Sequence, residues 1–104
     1  MSANNYLLAT FNNENCVFYF KYGDVREINY HINDKIRWNV VSEPDISAGE
    51  VTVPAYKILD LMNFKFEYFK IYIFDNIIKY LVPINEAEYE ELEDFIFEKV
   101  YANM

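Results

Sequence analysis

The chain has 104 residues, of which 53% are hydrophobic and 25% charged, and its formal charge is −8. A chain of this length forms about one domain, and this composition is typical neither of disordered nor of fibrous proteins, so we expect a single folded domain over residues 1–104. The one cysteine excludes an intrachain disulfide and a multi-cysteine metal site, and the sequence shows neither a membrane-spanning apolar run nor a signal peptide. We therefore expect a cytoplasmic protein that does not contact a membrane.

The first part of the chain shows the alternation of apolar and polar residues that is typical of β-strands. Residues 6–11 and 16–22 flank a polar run of hairpin-turn length, so they predict a first hairpin. Residues 25–41 alternate in the same way around a turn at Asn33 and Asp34. They predict a second hairpin in the same sheet.

The middle of the chain loses this alternation. Residues 42–53 contain a proline, a glycine and several acids without any period, and they predict an exposed loop. Residues 54–63 begin with a proline, which suits the first turn of a helix, and then place apolar side chains around most of the helix circumference. They predict a short and largely buried helix.

The last part of the chain predicts a hairpin followed by a helix. Residues 66–74 and 77–82 are rich in aromatic and β-branched residues and flank the turn residues Asp75 and Asn76, which indicates a third hairpin. Asn85 precedes Glu88 by three residues, at the spacing of a helix cap, and predicts a terminal helix from Glu86 to about residue 101. The apolar stripe of this helix is predicted to be Leu92, Phe95, Ile96 and Val100.

Together these elements predict an α+β fold. We expect an antiparallel sheet of about six strands in three hairpins, with two helices, the second of them C-terminal. Residues 16–22 and 66–82 are apolar on both faces, although a sheet with one solvated face alternates cleanly. Either the sheet curls into a partly closed barrel, or its second face meets another chain.

The sequence contains no set of residues that is diagnostic of catalysis. His31 is the only histidine and Cys16 the only cysteine, and we expect the first on a polar strand face and the second as a small buried hydrophobe. Phosphate-binding loops, zinc-protease motifs, nucleophile elbows and the calcium-loop pattern are absent. We therefore expect a protein that is not an enzyme and that binds no cofactor and no metal.

Most of the negative charge lies near the end of the sequence. Residues 1–84 carry eight basic and ten acidic side chains, a net charge of −2, whereas residues 85–104 carry one basic and seven acidic side chains, a net charge of −6. Such a field repels phosphate backbones and attracts basic surfaces. We therefore expect a basic protein partner and no direct binding to nucleic acid.

Two acidic patches are candidates for the surface that binds this partner. One lies on the predicted terminal helix and the other in the predicted loop, and an aromatic residue beside the helix acids is the expected anchor. The candidate residues are Glu86, Tyr89, Glu90, Glu91 and Asp94 on the helix, and Glu43, Asp45 and Glu50 in the loop.

In its small size, its acidity, its lack of a catalytic set and its tyrosine-rich and acid-rich sequence, the chain resembles the small acidic immunity proteins that bacteria make against nuclease toxins of the bacteriocin or contact-dependent inhibition type. The resemblance implies an antitoxin that blocks the active site or substrate groove of its toxin, with carboxylates in place of phosphates. The same logic describes a nucleic-acid mimic that blocks a defence enzyme. The alternative is a homodimeric or small-ligand-binding domain that uses the aromatic sheet face.

Overall fold

The computed structural model of the chain describes residues 5–20, 28–36 and 50–96. These residues form one sheet of six strands in the order β3-β1-β2-β4-β5-β6, followed along the chain by a helix. The elements are β1 (Asn5–Phe11), β2 (Glu14–Phe20), β3 (Asn29–His31), β4 (Glu50–Asp60), β5 (Lys65–Phe74), β6 (Ile77–Ile84) and α1 (Glu86–Ile96).

The predicted antiparallel α+β fold with two helices is wrong. The sheet is mixed, because β3 pairs with β1 in parallel while the other strand pairs are antiparallel. Within the described ranges α1 is the single helix, and the chain predicted as the first helix belongs to β4 and the turn after it. The described residues also do not form the predicted second hairpin, because β3 pairs with β1 and Lys35, after the turn, forms a bridge to Ile77 of β6. The rest of that prediction, residues 25–27 and 37–41, lies outside the described residues.

The first and third predicted hairpins are confirmed, and each has a two-residue turn. Asn12 and Asn13 join β1 to β2, and Asp75 and Asn76 join β5 to β6, with φ angles between 50° and 66° at all four positions. Asn and Asp tolerate this left-handed region better than other residues with a Cβ, and such turns match the twist of paired strands. The first turn is shorter than predicted because β2 already begins at Glu14.

Residues 54–60 form a strand because β5 provides a long pairing partner. The register of β4 and β5 runs from Glu50 opposite Phe74 to Asp60 opposite Lys65, with one irregularity near the end. A run of apolar residues fits both a helix that is buried all round and a strand that is buried on both faces. β-branched and aromatic residues such as Val53 and Tyr56 favour the strand. Pairing with a distant segment therefore overrides the local helix prediction.

The hydrophobic core lies on one face of this sheet. β2 contributes Phe18 and Phe20, and β5 contributes Phe69 and Ile71, all buried. The Phe69 ring meets the Phe18 ring edge to face, with 4.8 Å between the ring centroids, and the Phe11 ring in the same way at 5.0 Å. Aromatic packing of this kind holds the central strands together.

The sheet curls into a half-barrel whose two edges are tied together. Residues 33–36 directly follow the edge strand β3 and bond to the opposite edge strand β6. The backbone hydrogen bonds run from Asn33 N to Ile78 O at 2.7 Å, from Ile36 N to Asn76 O at 2.7 Å, and from Ile78 N to Asp34 O at 2.9 Å. This closure supports the first of the two alternatives for the sheet, a partly closed barrel around the core.

Candidate partner-binding face

α1 begins directly after β6 and lies on the outer face of the sheet, opposite the core. Asn85 caps it, since the Glu88 amide donates a hydrogen bond to Asn85 Oδ1 at 2.8 Å and the Tyr89 amide donates to the Asn85 carbonyl at 3.0 Å. Glu86 and Glu88 lie in the first turn, where carboxylates complement the helix dipole. The predicted start of the helix at Glu86 is confirmed.

Two contacts fix α1 on β5. The Tyr89 ring packs on the Tyr68 ring, with 4.7 Å between the centroids. Glu88 accepts a hydrogen bond from Lys70 Nζ at 3.3 Å, and the same ammonium lies 5.3 Å from the centroid of the Tyr72 ring. Hydrogen bonds to Tyr72 and Glu88 raise the pKa of Lys70, so its charged form favours the docked helix.

The predicted apolar stripe of α1 is wrong at Phe95, whose surface is 53% exposed. Tyr89 and Phe95 lie to either side of Leu92 around the helix, each about 60° from it. The helix turns Tyr89 toward the sheet because the ring finds Tyr68 there, and Phe95 consequently points outward. Leu92 is half-buried, as a stripe residue should be, whereas the Ile96 side chain and Val100 lie outside the described part of the chain.

The outward half of α1 carries the four acidic helix residues that were singled out from the sequence. Glu86, Glu90 and Asp94 follow one another at intervals of four residues, so each lies about 6 Å further along the helix axis. Glu91 lies beside them, and all four are exposed. Within the described ranges none of the four forms an ion pair. We call these four residues the acidic face of α1.

Of the second predicted acidic patch the structure describes Glu50, which does not join this face. Glu50 is exposed at the start of β4, opposite Phe74. It lies six residues before Tyr56, which is about 20 Å along the strand. Glu43 and Asp45 lie outside the described residues.

A row of tyrosines crosses the outer face of the sheet. Tyr6, Tyr19, Tyr56 and Tyr68 are register partners on four neighbouring strands, and all four are half-buried. The rings of Tyr19 and Tyr56 stack at 5.4 Å, and those of Tyr6 and Tyr19 meet edge to face at 5.3 Å. This tyrosine row is part of the second apolar sheet face expected from the sequence, and α1 packs against β4 and β5 at one end of it.

An open cavity lies where α1 meets the β4–β5 hairpin. Its volume is about 210 Å³, and it is lined by Tyr56, Phe66, Tyr68 and Tyr89. The rings of Tyr56 and Phe66 are nearly perpendicular, with an interplanar angle of 83° and 5.6 Å between the centroids. We call this site the aromatic cavity. Of its residues, Tyr89 alone was predicted from the sequence as a binding residue, because the other three come from strands that only the fold brings to the helix.

The acids of α1 act electrostatically on this cavity. Burial raises the pKa of the Tyr68 hydroxyl, and the charges of Glu86, Glu90 and Glu93 raise it further. Burial also raises the pKa of Tyr56, with smaller contributions from the neighbouring tyrosines and from Glu93. Burial disfavours a charge of either sign at these hydroxyls, whereas the smaller contribution of the glutamates specifically disfavours a further negative charge and attracts a cation.

The tip of the β4–β5 hairpin is a second feature that sequence reasoning missed, because it was assigned to a buried helix. Its apolar side chains are exposed, namely Leu59 at 55%, Leu61 at 64%, Met62 at 90% and Phe64 at 79%. The Asp60 carboxylate shapes the turn by accepting hydrogen bonds from the Met62 amide at 3.1 Å and from the Asn63 amide and side chain at 3.3 Å and 2.6 Å. An Asp followed by Asn at this spacing is a turn pattern that was available in the sequence.

His31 and Cys16 lie on opposite faces of the sheet and do not form a catalytic pair. Cys16 is buried in the core with its thiol directed to the Glu14 carbonyl, at 3.5 Å. His31 is exposed, and its Nδ1 atom lies 3.5 Å from an Asp34 carboxylate oxygen. Across the described residues no cluster of three or more His, Cys, Asp or Glu side chains could hold a metal ion.

Comparison with known proteins gives no relative, since no protein-family model, curated protein or solved structure matches this chain. No helix in the described residues is long and apolar enough to span a membrane. The site itself is therefore the basis for the proposed function. What the site combines is exposed carboxylates on a capped helix with an aromatic cavity beside them, an arrangement whose chemistry is the attraction and stacking of cations.

Proposed function

We propose that this protein is a non-catalytic acidic protein that binds and neutralises a basic protein, and that the partner is a nuclease toxin. The observation that carries the proposal is the acidic face of α1. Its four carboxylates are exposed and have no ion-pair partner within the described ranges. Unpaired carboxylates grouped on one surface attract a basic surface and accelerate its association.

A nuclease is the basic partner whose binding surface best matches this face. Its substrate groove is built to hold a row of phosphates with cationic side chains. Glu86, Glu90 and Asp94 present carboxylates in a row along a helix, about 6 Å apart along its axis. Such a row supplies negative charge where the groove expects phosphate, which blocks the groove to its substrate. We propose the cytoplasm as the compartment in which a cell needs this protection.

Charge alone would not hold the complex. Exposed ion pairs contribute only about 0 to 1 kcal/mol each, and salt at physiological strength screens them over about 8 Å. Interfaces derive most of their affinity from a few desolvated aromatic or arginine anchors. The aromatic cavity next to the acids offers such a place. In this proposal the acids govern the association rate and the aromatic residues govern the lifetime of the complex.

The alternative of a homodimer or a small-ligand protein has less support. α1 packs on the outer sheet face, so part of the tyrosine row is not available to a second copy of the chain. The aromatic cavity, at about 210 Å³, is smaller than the roughly 300 to 1,000 Å³ of common ligand pockets. The first observation disfavours a homodimer through the whole tyrosine row, and the second disfavours a drug-sized ligand in this cavity.

Capture followed by inhibition tests the proposal. The protein is used as bait in an extract of its native host, and the captured protein is assayed for nuclease activity with and without added bait. We expect a basic nuclease that loses activity as the bait approaches equimolar amounts. A captured partner that is acidic, or a nuclease that stays fully active in the complex, would contradict the proposal.

A pair of charge-matched variants tests the role of the acidic face. One replaces Glu90, Glu91 and Asp94 by lysine, and the other replaces Glu43, Asp45 and Glu50 by lysine, so both change the net charge equally. We expect that the first variant needs a higher concentration than the unaltered protein to inhibit the captured nuclease. The concentration that the second variant needs should be closer to that of the unaltered protein. An equal loss in both variants would show that net charge acts without any particular face.

A further inference from the structure

We infer that the aromatic cavity between α1 and the β4–β5 hairpin is a receptor for a guanidinium group, and that its occupant is an arginine side chain of the basic partner. The inference rests on the proposed function for the source of the arginine. The walls of the cavity, its size and the charges around it indicate a guanidinium independently of that function.

The walls of the cavity are aromatic on all the elements that form it. Tyr56 comes from β4, Phe66 and Tyr68 from β5, and Tyr89 from α1. Their planes differ, since Phe66 is inclined by 83° to Tyr56 and Tyr89 by 42° to Tyr68. The negative face of an aromatic ring attracts a cation that lies within about 6 Å of the ring centroid. Rings in several orientations therefore surround a cation in the cavity with more than one attractive surface.

The size of the cavity suits one side-chain head group. Its volume of about 210 Å³ lies below the roughly 300 to 1,000 Å³ of common ligand pockets. It opens to solvent, so a side chain of another protein has a route into it. A guanidinium with the last part of its stem fits this space, whereas a drug-sized ligand needs a larger pocket.

Carboxylates that act on the tyrosines of the cavity complement a cation. Glu86, Glu90 and Glu93 act electrostatically on Tyr68, which lines it, and Glu93 acts on Tyr56 as well. Of the described residues, none forms an ion pair with these three glutamates. Lys70 on the same sheet face is already bonded to Glu88. A cation that enters the cavity therefore meets negative charge that this part of the chain does not itself neutralise.

Arginine fits these walls better than lysine does. Its guanidinium is planar, delocalised and weakly hydrated, and it stacks on aromatic faces, whereas the lysine ammonium is a compact and strongly hydrated charge. The described lining consists of four aromatic side chains whose polar side-chain atoms are the tyrosine hydroxyls, and such walls favour the cation that is less strongly hydrated. The proposed nuclease partner supplies arginine in its phosphate-binding groove, next to the surface that meets the acidic face.

The test uses the full chain and small probes at constant ionic strength. Methylguanidinium, methylammonium and urea are titrated in turn while the tyrosine ring signals are followed by NMR. Urea is the matched neutral control, because it is planar and similar in shape to guanidinium. We expect a saturable millimolar response at Tyr68 and Tyr89 to methylguanidinium, a weaker one to methylammonium and none to urea. Equal responses to urea and methylguanidinium, or no saturable response, would overturn the inference.

Two variants with different effects on folding keep this test interpretable. Glu93→Gln removes a charge with little change of shape, and Phe66→Leu removes one ring. Each should weaken methylguanidinium binding by about two- to fivefold, the worth of an exposed ion pair or a cation–π contact. Glu14→Gln makes the same chemical change on the exposed start of β2 and should leave binding unchanged. An equal effect of Glu14→Gln would show that only net charge matters, which would overturn the inference.

The captured partner separates this inference from the proposed function. If the cavity holds a partner arginine, Phe66→Leu and Glu93→Gln speed dissociation of the complex more than they slow association. Methylguanidinium binding without capture of any basic partner would remove the proposed function and leave the cation site. If the protein inhibits a basic nuclease but its cavity does not bind methylguanidinium, the proposed function stands and the guanidinium site is refuted.

Discussion

Replacing Phe69 by alanine should remove a large part of the stability of the domain, whereas the same change at Phe95 should have little effect. Phe69 is fully buried in the core, in edge-to-face contact with the rings of Phe11 and Phe18. Truncation of a buried phenylalanine costs about 3 to 5 kcal/mol, and the two ring contacts place Phe69 near the upper end. This is a large fraction of the roughly 5 to 15 kcal/mol by which a small domain is stable.

Phe95 provides the comparison because the same side chain is removed from a different environment. Its surface is 53% exposed, so truncation gives up about half of the roughly 1.5 to 3 kcal/mol that full burial of such a side chain is worth. We therefore expect a loss of about 1 kcal/mol and no cavity in the core.

Urea denaturation followed by circular dichroism measures both losses. With a slope of about 2 kcal/mol per molar urea, Phe69→Ala lowers the midpoint by about 2 M and Phe95→Ala by about 0.5 M. If Phe69→Ala does not fold, Phe69→Leu gives a smaller loss that is still measurable. Equal losses at the two positions would restore the apolar helix stripe expected from the sequence and refute the position of α1 described above.

Three further predictions concern the hairpin tip and the titrating groups. Met62→Ala should change the free energy of unfolding by no more than about 0.5 kcal/mol, because Met62 is 90% exposed; a loss of several kcal/mol, measured by urea denaturation, would place it in a core. The pKa values of Tyr56, Tyr68 and Lys70 are raised in the folded protein. The contribution of these groups to stability is therefore complete below their unfolded pKa values near pH 10 and is lost as the pH rises through their folded pKa values. A free energy of unfolding that does not fall over this pH range would contradict the shifts. Hydrogen bonds from Asn63 and Met62 lower the pKa of Asp60, so its contribution to stability is present above the usual aspartate value near pH 4 and is lost as the pH falls through the lowered one. NMR titration of Asp60 should give a midpoint below the usual aspartate value, and an unshifted midpoint would speak against the turn.

Features whose cause is local were predictable from the sequence. The turns at residues 12–13 and 75–76 form from residues that accept positive φ angles, and both turns lie within the turn segments expected from the sequence. The start of α1 follows from Asn85 and Glu88, which act within one helical turn. In these cases the residues that determine the structure are neighbours in the chain.

Features that depend on distant pairing were not predictable in this way. Residues 54–60 carry apolar side chains that suit a buried helix or a buried strand, and the choice is made by β5. β3 pairs in parallel with β1, whose sequence contains nothing that specifies this partner. The whole fold determines which distant segments pair, so a local sequence pattern does not predict the pairing.

The same distinction applies to the candidate site. Helical spacing alone places Glu86, Glu90 and Asp94 on one side of α1, so the acidic face could be proposed from the sequence. The aromatic cavity combines Tyr89 with Phe66 and with the tyrosine row, and it exists only because α1 folds back on β4 and β5. Its rings were visible in the sequence as strand residues, but their common site was not.

The most direct test of the proposed partner binding is the association rate with the captured partner at low and high salt. The account predicts that reversal of Glu90, Glu91 and Asp94 slows association at low salt by about tenfold or more, weakens its dependence on salt, and changes dissociation less. The charge-matched reversal of Glu43, Asp45 and Glu50 should slow association less. If neither reversal changes the association rate, the acids of α1 form only a solvated helix face, and the central claim is contradicted.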